Sequence, residues 1–467
     1  MDMVPGPADR LALMEGARLL VEAMEMRHLS EIFAPTPDAV VSDLLRPPGE
    51  EPEPAGDVLS RLTTASQFGW DKAQGGDLAY IPSGGLFTGA VAAWLASAIH
   101  AFTGAAFEAP ALVAMEESVL RWVAAALGMP GDAEGILLSG GSIANQTAIV
   151  CAREHGRAGP APRVYLTPRA HHSVRKGLRL SGIPDTEARS MPAGSRGRID
   201  VPALRRELAQ DRAEGAVPWL LVAVAGDTDT GAVDPLPELA DIAAEHRAWL
   251  HVDAAYGGFF TLTERGAKRL RGIERADSVT VDAHKSLFLP YGIGGLIVRH
   301  PGALVRAHAA DGAYLRDVED LDGLPHYFGR GPENTRPFRG LLAWLPLHLH
   351  GVAAFRKTLD RMLDLAIEAA RSLSRIPGIE VLEDPELSIT LFRATDGDEA
   401  TQRILGTLNS SGRFHVSSTT INDRVTIRLA FLHPRTSGEL LDDLVAMVAA
   451  AELPEPPGRK PHDLPPR

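Results

Sequence analysis

Trp249-Leu250-His251-Val252-Asp253-Ala254-Ala255-Tyr256-Gly257-Gly258, followed further on by Ser278-Val279-Thr280-Val281-Asp282-Ala283-His284-Lys285, is the stretch that decides the fold. Each segment is a short apolar run that ends in an acidic residue and then turns. The first delivers Asp253 to a strand end, and the second delivers Asp282 and Lys285. About one strand–helix–strand step separates Asp253 from Lys285, so the two fall on neighbouring positions of a sheet. In open α/β sheets ligands gather at the carboxyl edge of the strands. A carboxylate at a largely buried strand end needs a partner, and a protonated pyridine nitrogen would supply one. Ala254 and Ala255 are small enough to let a flat ring lie close. Lysine is rarely buried without purpose, and one desolvated at such an edge can form a Schiff base.

The same rhythm extends to both sides. Apolar runs at 136–138, 164–166, 219–225 and 296–299 read as further strands. Helical patterns run from the turn after Leu138 to about residue 156, and over 237–245. This alternation implies a mostly parallel sheet covered on both faces. Ahead of it, 10–31 has helical spacing, 35–57 is a strap rich in Pro, Glu and Gly, and 86–100 and 115–127 are helical. After Arg339 a long helical region reaches about residue 374. Strands near 379–382, 388–393 and 425–430, with a helix over 437–450, make a smaller α/β lobe. The expected division is an N-terminal helical and strap segment (1–75), a large cofactor-binding domain (76–340), a small C-terminal domain (341–453) and a Pro-rich tail (454–467).

Two more segments belong with the strand ends. Ser139-Gly140-Gly141-Ser142-Ile143-Ala144-Asn145 joins a strand to a helix. Its glycines permit a tight turn, and the free N–H groups of the helix start suit a phosphate. The P-loop pattern is absent, since that needs a Gly-Lys-Ser/Thr ending. Ala170-His171-His172-Ser173-Val174 follows the next strand and offers an imidazole that could stack on a flat ring. Its plain alternative is a polar loop with two surface histidines. Adjacent histidines lack the usual ligand spacing and no cysteine cluster stands nearby, so no metal is expected. Gly292-Ile293-Gly294-Gly295 leads into a strand, whereas a dinucleotide turn must open a helix. Phosphate turn, histidine, carboxylate and lysine together describe a site for pyridoxal 5′-phosphate (PLP), which needs each of those parts.

Composition narrows the class. The chain has 467 residues, 45% hydrophobic and 23% charged, enough for two or three lobes with a large core. A net charge of −13 argues against nucleic acid as the main partner. No uncharged apolar run reaches membrane-spanning length, and the first residues lack the pattern of a signal peptide. A soluble cytoplasmic protein is therefore expected. The single cysteine, Cys151, excludes an intrachain disulfide and reads as a small buried hydrophobe.

These motifs resemble the group II pyridoxal-dependent amino-acid decarboxylases, which include the aromatic-L-amino-acid, tyrosine and glutamate decarboxylases. His251 to Gly258 is similar to the family's His-Val-Asp-Ala-Ala-Tyr motif, and Asp282 to Lys285 to its Asp/Asn-x-His-Lys. Gly226 to Pro235 and Thr335-Arg336-Pro337-Phe338-Arg339 resemble two further segments, and the likeness spans roughly residues 75 to 435. The resemblance implies the aminotransferase-like PLP fold, known as fold type I, and a homodimer. It implies that Lys285 carries the cofactor, that Asp253 keeps the pyridine nitrogen protonated and that His171 stacks on the ring. Ser142, Ile143 and His284 would lie near the phosphate, with Thr228, Ala255 and Asp282 completing the cofactor site. Tyr314 matches a mobile-loop tyrosine that would protonate the product carbon. There are departures: Ser286 where the family often has Trp, Asp227 where it has Thr, and Leu342-Ala343 where it has a lysine.

The implied reaction is decarboxylation of an L-amino acid to its amine and CO2. An aromatic substrate is placed ahead of an acidic one, because no obvious basic cluster lies near the motifs. The alternatives are a decarboxylation-dependent aldehyde synthase on the same fold, from which Tyr314 points away, and a non-catalytic PLP-binding protein, which intact Lys285, Asp253 and His171 oppose.

Overall fold

The computed structural model describes residues 6–81, 84–157, 159, 161–309 and 323–452. Two short antiparallel strands, β1 (Phe33–Ala34) and β2 (Gly69–Trp70), precede the main sheet. That sheet contains β3 (Glu134–Leu138), β4 (Pro162–Leu166), β5 (Ala188–Ser190), β6 (Val217–Val224), β7 (Trp249–Asp253), β8 (Ser278–Val281) and β9 (Gly294–Val298). Their order is β3-β9-β8-β7-β6-β4-β5. The five strands from β8 to β5 in that order are parallel, and β9 runs antiparallel to both its neighbours. The sheet is thus mostly parallel, in an α/β arrangement.

The reason lies in burial. Every residue of β3, β7, β8 and β9 is buried, as is all of β6 after Val217. Strands apolar on both faces need helices on both faces. Trp219, Trp249 and Tyr165 are among the largest fully buried side chains and sit in the core that these strands share with their helices.

A second sheet, β10 (Ile379–Val381), β11 (Ile389–Ala394), β12 (Ser417–Ile421) and β13 (Arg424–Ala430), is antiparallel in the order β10-β11-β13-β12. Phe392, Phe414, Phe431, Ile427 and Leu429 fill its own core, and Leu78 from the N-terminal side joins them.

Several sequence expectations shift in detail. The first helix is Pro7–Arg27, and it buries none of its residues. The strap of 35–57 contains the helix Asp38–Leu44 and runs into the helix Ala55–Ala65, with Pro37 and Pro54 at their starts. Proline is tolerated there because its missing N–H has no helical partner to lose. The long helical region after Arg339 is two helices, Gly340–His350 and Val352–Leu373. Gly351, at φ 71°, breaks them in a conformation that glycine adopts readily. The edge strand β12 was not expected: Ser417-Ser418-Thr419-Thr420 is an unbroken polar run before Ile421, so its composition reads as a loop.

One buried ion pair ties the start of the helix Gly340–His350 to the large sheet. Arg336 and Glu116 are fully buried and 2.6 Å apart. Arg336 also donates to the carbonyl of Leu137 at 2.7 Å and lies over the ring of Tyr327, while Glu116 accepts from the amide of Gly340. Removing one charge strands the other in the core. Glu116→Gln should cost about 3–5 kcal/mol, read as a lower denaturation midpoint. An unchanged midpoint would mean that Arg336 finds another partner.

Candidate active site

Five strands present their ends on one edge. β3 ends into Ser139-Gly140-Gly141, β4 into the loop carrying Arg169 and His171, β6 into Gly226-Asp227-Thr228, β7 at Asp253 and β8 into Asp282. Since β9 runs the other way, it begins at this edge, at Gly294. The side chains meet around a cavity of about 370 Å³. Ser142, Ile143, His171, Thr228, Asp253, Ala255, Asp282, His284 and Lys285 all line it. Tyr314 lies outside the described residues.

Each group is held in a definite way. Asp253 is 6% exposed, and its carboxylate accepts from Asn145 Nδ2 at 2.8 Å and from the amide of Ala255 at 3.2 Å. Lys285 stands in the single helical turn Ala283–Ser286, with Nζ 3.3 Å from Asp282 Oδ2. The other carboxylate oxygen of Asp282 is buried and has no hydrogen-bond partner in the chain. His284 Nδ1 lies 3.1 Å from the carbonyl of Ile293, which can only accept, so Nδ1 is the protonated nitrogen of that contact. His171 caps the helix His172–Leu180, its ring accepting from the amide of Ser173. Burial lowers the pKa of His171, which keeps its ring neutral at pH 7.

The glycine turn is shaped by close approach. No side chain caps the helix Gly141–Gly156, so its first N–H groups are available to an anion. A Cβ on Gly141 would meet Asp282 Oδ2 at 2.8 Å and the Cβ of Ala255 at 3.2 Å.

Sequence reasoning missed three residues. Asn145 and Arg169 both line the cavity. Asn145 was within the quoted turn, but its target, Asp253, lies 108 positions away. Arg169 Nη1 is 3.4 Å from Asp229 Oδ2, and its Nε is buried without a partner. The third is Arg428 on β13, 3% exposed, which donates to the carbonyl of Thr228 and so joins the small sheet to the cavity wall. Asp227, noted as a departure, has a local explanation. Its carboxylate accepts from the amides of Asp229, Thr230 and Ala232 and from the hydroxyl of Thr230, and so builds the turn. Burial raises its pKa. Among the described residues, no group of three or more His, Cys, Asp or Glu could hold a metal ion.

PLP fits these residues: an uncapped helix start for its phosphate, an amine beside the Asp282 carboxylate, and a second carboxylate, Asp253, at the same edge on the neighbouring strand. Fold and cavity together define an α/β enzyme built around that cofactor. The model of the family described as "Pyridoxal-dependent decarboxylase conserved domain" matches residues 74–395. An aromatic-L-amino-acid decarboxylase of Bacillus atrophaeus is 33% identical over 91% of this chain and 92% of its own. An L-2,4-diaminobutyrate decarboxylase of Rhizobium meliloti is 32% identical over 72% of this chain and 69% of its own. Among solved structures, Oryza sativa TDC with PLP and tryptamine superposes with a TM-score of 0.87 over 96% of this chain and 99% of that one, at 24% identity. Mouse CSAD gives 0.88 over 96% and 99%, at 22% identity. These two likenesses speak to the fold. The chain belongs to the pyridoxal-dependent decarboxylases: it is a carboxy-lyase whose cofactor is PLP.

The start of β9 sets a sharp steric limit on the site. A Cβ on Gly294 would stand 2.2 Å from Asp282 Oδ1 and 2.7 Å from the Cα of Gly140. Gly294→Ala should push the glycine turn away from Asp282 and weaken PLP binding roughly tenfold or more, a loss of about one strong hydrogen bond. Absorbance titration of PLP into the cofactor-free variant checks this, and wild-type affinity would contradict the close approach.

Proposed function

We propose that the chain decarboxylates an aromatic L-amino acid to the corresponding amine and CO2. What carries the reading is the convergence of Lys285, Asp253 and His171 on one cavity in a chain of this family. When bound, PLP supplies the carbonyl that captures the amino group and the ring that accepts the electron pair left by departing CO2. Lys285 holds the cofactor. Asp253 would keep a proton on the ring nitrogen, and His171 would stack against the ring face. Ser142, Ile143 and His284 would hold the phosphate end, with Thr228, Ala255 and Asp282 around the ring. Tyr314 delivers the proton to the substrate carbon after CO2 has left.

The aromatic preference rests on the Bacillus atrophaeus relative. The sequence-based ground, a lack of basic groups near the motifs, falls away because Arg169 lines the cavity. Other relatives are named for diaminobutyrate and cysteine sulfinic acid.

The active form proposed is a homodimer. The helix Pro7–Arg27 buries nothing yet carries Leu11, Met14, Leu19 and Met26, each at least 50% exposed. Apolar surface of that kind calls for a cover, and a second copy supplies one. Among the described residues no helix is long and apolar enough to cross a membrane, and a cytoplasmic setting is part of this proposal.

A panel of L-amino acids assayed for CO2 and amine together tests the function. Equal CO2 and amine from tyrosine, tryptophan or dihydroxyphenylalanine is expected, with little from glutamate or diaminobutyrate. Turnover of an acidic or diamino substrate alone would overturn the aromatic assignment. Aldehyde in place of amine would overturn the outcome assigned to Tyr314.

A further inference from the structure

Behind Asp253 lies a line of polar side chains that the reaction as described does not use. Trp249 Nε1–H donates to Ser278 Oγ at 2.8 Å. Ser278 Oγ lies 2.9 Å from His251 Nδ1, and His251 Nε2 lies 3.1 Å from Asn145 Oδ1. Asn145 Nδ2 donates to Asp253 Oδ2 at 2.8 Å and to Ser173 Oγ at 3.1 Å. Ser173 Oγ then lies 2.8 Å from His171 Nδ1. Trp249, Ser278, His251, Asn145 and Ser173 are each no more than 2% exposed.

The line has a direction. An indole N–H can only donate, and a carboxylate oxygen can only accept. A serine hydroxyl can accept twice, so the sense is read from the carboxylate end: Asp253 takes an Asn145 N–H, which turns the Asn145 carbonyl toward His251 Nε2. A carbonyl only accepts, so a neutral His251 carries its proton on Nε2, and its bare Nδ1 takes the Ser278 hydroxyl proton while Ser278 accepts from Trp249. The same orientation of Asn145 turns its amide N–H groups toward Asp253 and Ser173. Ser173 accepts from Asn145, which leaves its hydroxyl proton free for His171 Nδ1. The amide of Ser173, a donor only, points at the same nitrogen at 3.3 Å. Burial supports one proton per ring, lowering His171 and pushing His251 down to about 4.

We propose that Asn145 and His251 are positioning residues for the decarboxylation, completing a one-way relay that fixes the Asp253 carboxylate and presents His171 to the cavity with its proton on Nε2. The proposal rests on the reading of Asp253 and His171 as the two groups that bracket the cofactor ring. Polar groups that merely satisfied one another in the core would also be hydrogen-bonded, but their direction would have no consequence at the cavity. Here the branch at Asn145 makes two cavity groups depend on one amide.

Neutron diffraction from crystals of the PLP-loaded full chain reads the direction. Deuterium on Nε2 of both His251 and His171, with both Nδ1 atoms bare, is expected; deuterium on either Nδ1 overturns the relay. Asn145→Asp provides a second readout that packing alone would not move. The replacement has the same shape but sets a carboxylate against Asp253 and an acceptor against Ser173. The charged and titratable groups around it are Asp253 and His251 on β7, His171 and His172 beside Ser173, and Lys285 and Asp282 beyond. PLP affinity relative to wild type should fall roughly tenfold or more at pH 8 and recover as the pH falls and one carboxyl takes a proton. A ratio within twofold at all pH values overturns the proposal. Borohydride reduction and peptide mapping separate the two levels. A label on Lys285 with the wrong ring nitrogens protonated sinks the relay alone. A label elsewhere removes the site reading and the relay with it.

Discussion

A carboxylate buried at the end of a strand must be satisfied, and the organisation of this site follows from how Asp253 is. Two donors reach it from the chain, the amide of Ala255 and Nδ2 of Asn145. The first comes from the turn that immediately follows β7. The second requires the helix Gly141–Gly156 to lie directly behind the strand end, and that placement also brings its uncapped start to the cavity. One polar contact thus couples the position of the carboxylate to the position of the uncapped glycine turn.

The sheet supplies the remaining order. Parallel strands place their carboxyl ends on one side, so residues far apart in sequence converge without long loops. The reversal at β9 lets Gly294 close in on Gly140 and Asp282, where any side chain would collide. The small sheet reaches the same edge through Arg428 at the carbonyl of Thr228 and through Ser388, which is bonded to the hydroxyl of Tyr256 at 2.7 Å. The small lobe therefore braces the cavity wall.

Much of this was legible in the sequence, for a physical reason. Strands buried on both faces are written as mostly apolar runs, and the acidic residues that end two of them, Asp253 and Asp282, mark the functional edge. That signal placed Asp253, Asp282 and Lys285 on neighbouring strands. What stayed hidden depends on long-range contact or on half-exposed surface. Asn145 reads as an ordinary helix residue until its partner across the fold is known. Arg169 sits in a polar loop, and nothing local tells that its side chain turns inward. The edge strand β12 opens with four consecutive polar residues, as a loop would, and Gly351 looks like any glycine in a helix until its positive φ is seen.

The central claim is that the Asp253 carboxylate acts on the cofactor ring and does not serve the fold alone. Asp253→Asn keeps the shape of the side chain and removes its charge. Measuring kcat and PLP affinity on the same preparation separates the two roles. The account predicts a fall in kcat on the order of a hundredfold or more, the scale for removing a charge-stabilising group from an active site, with a much smaller loss of PLP affinity. Near-wild-type kcat in this variant would contradict it.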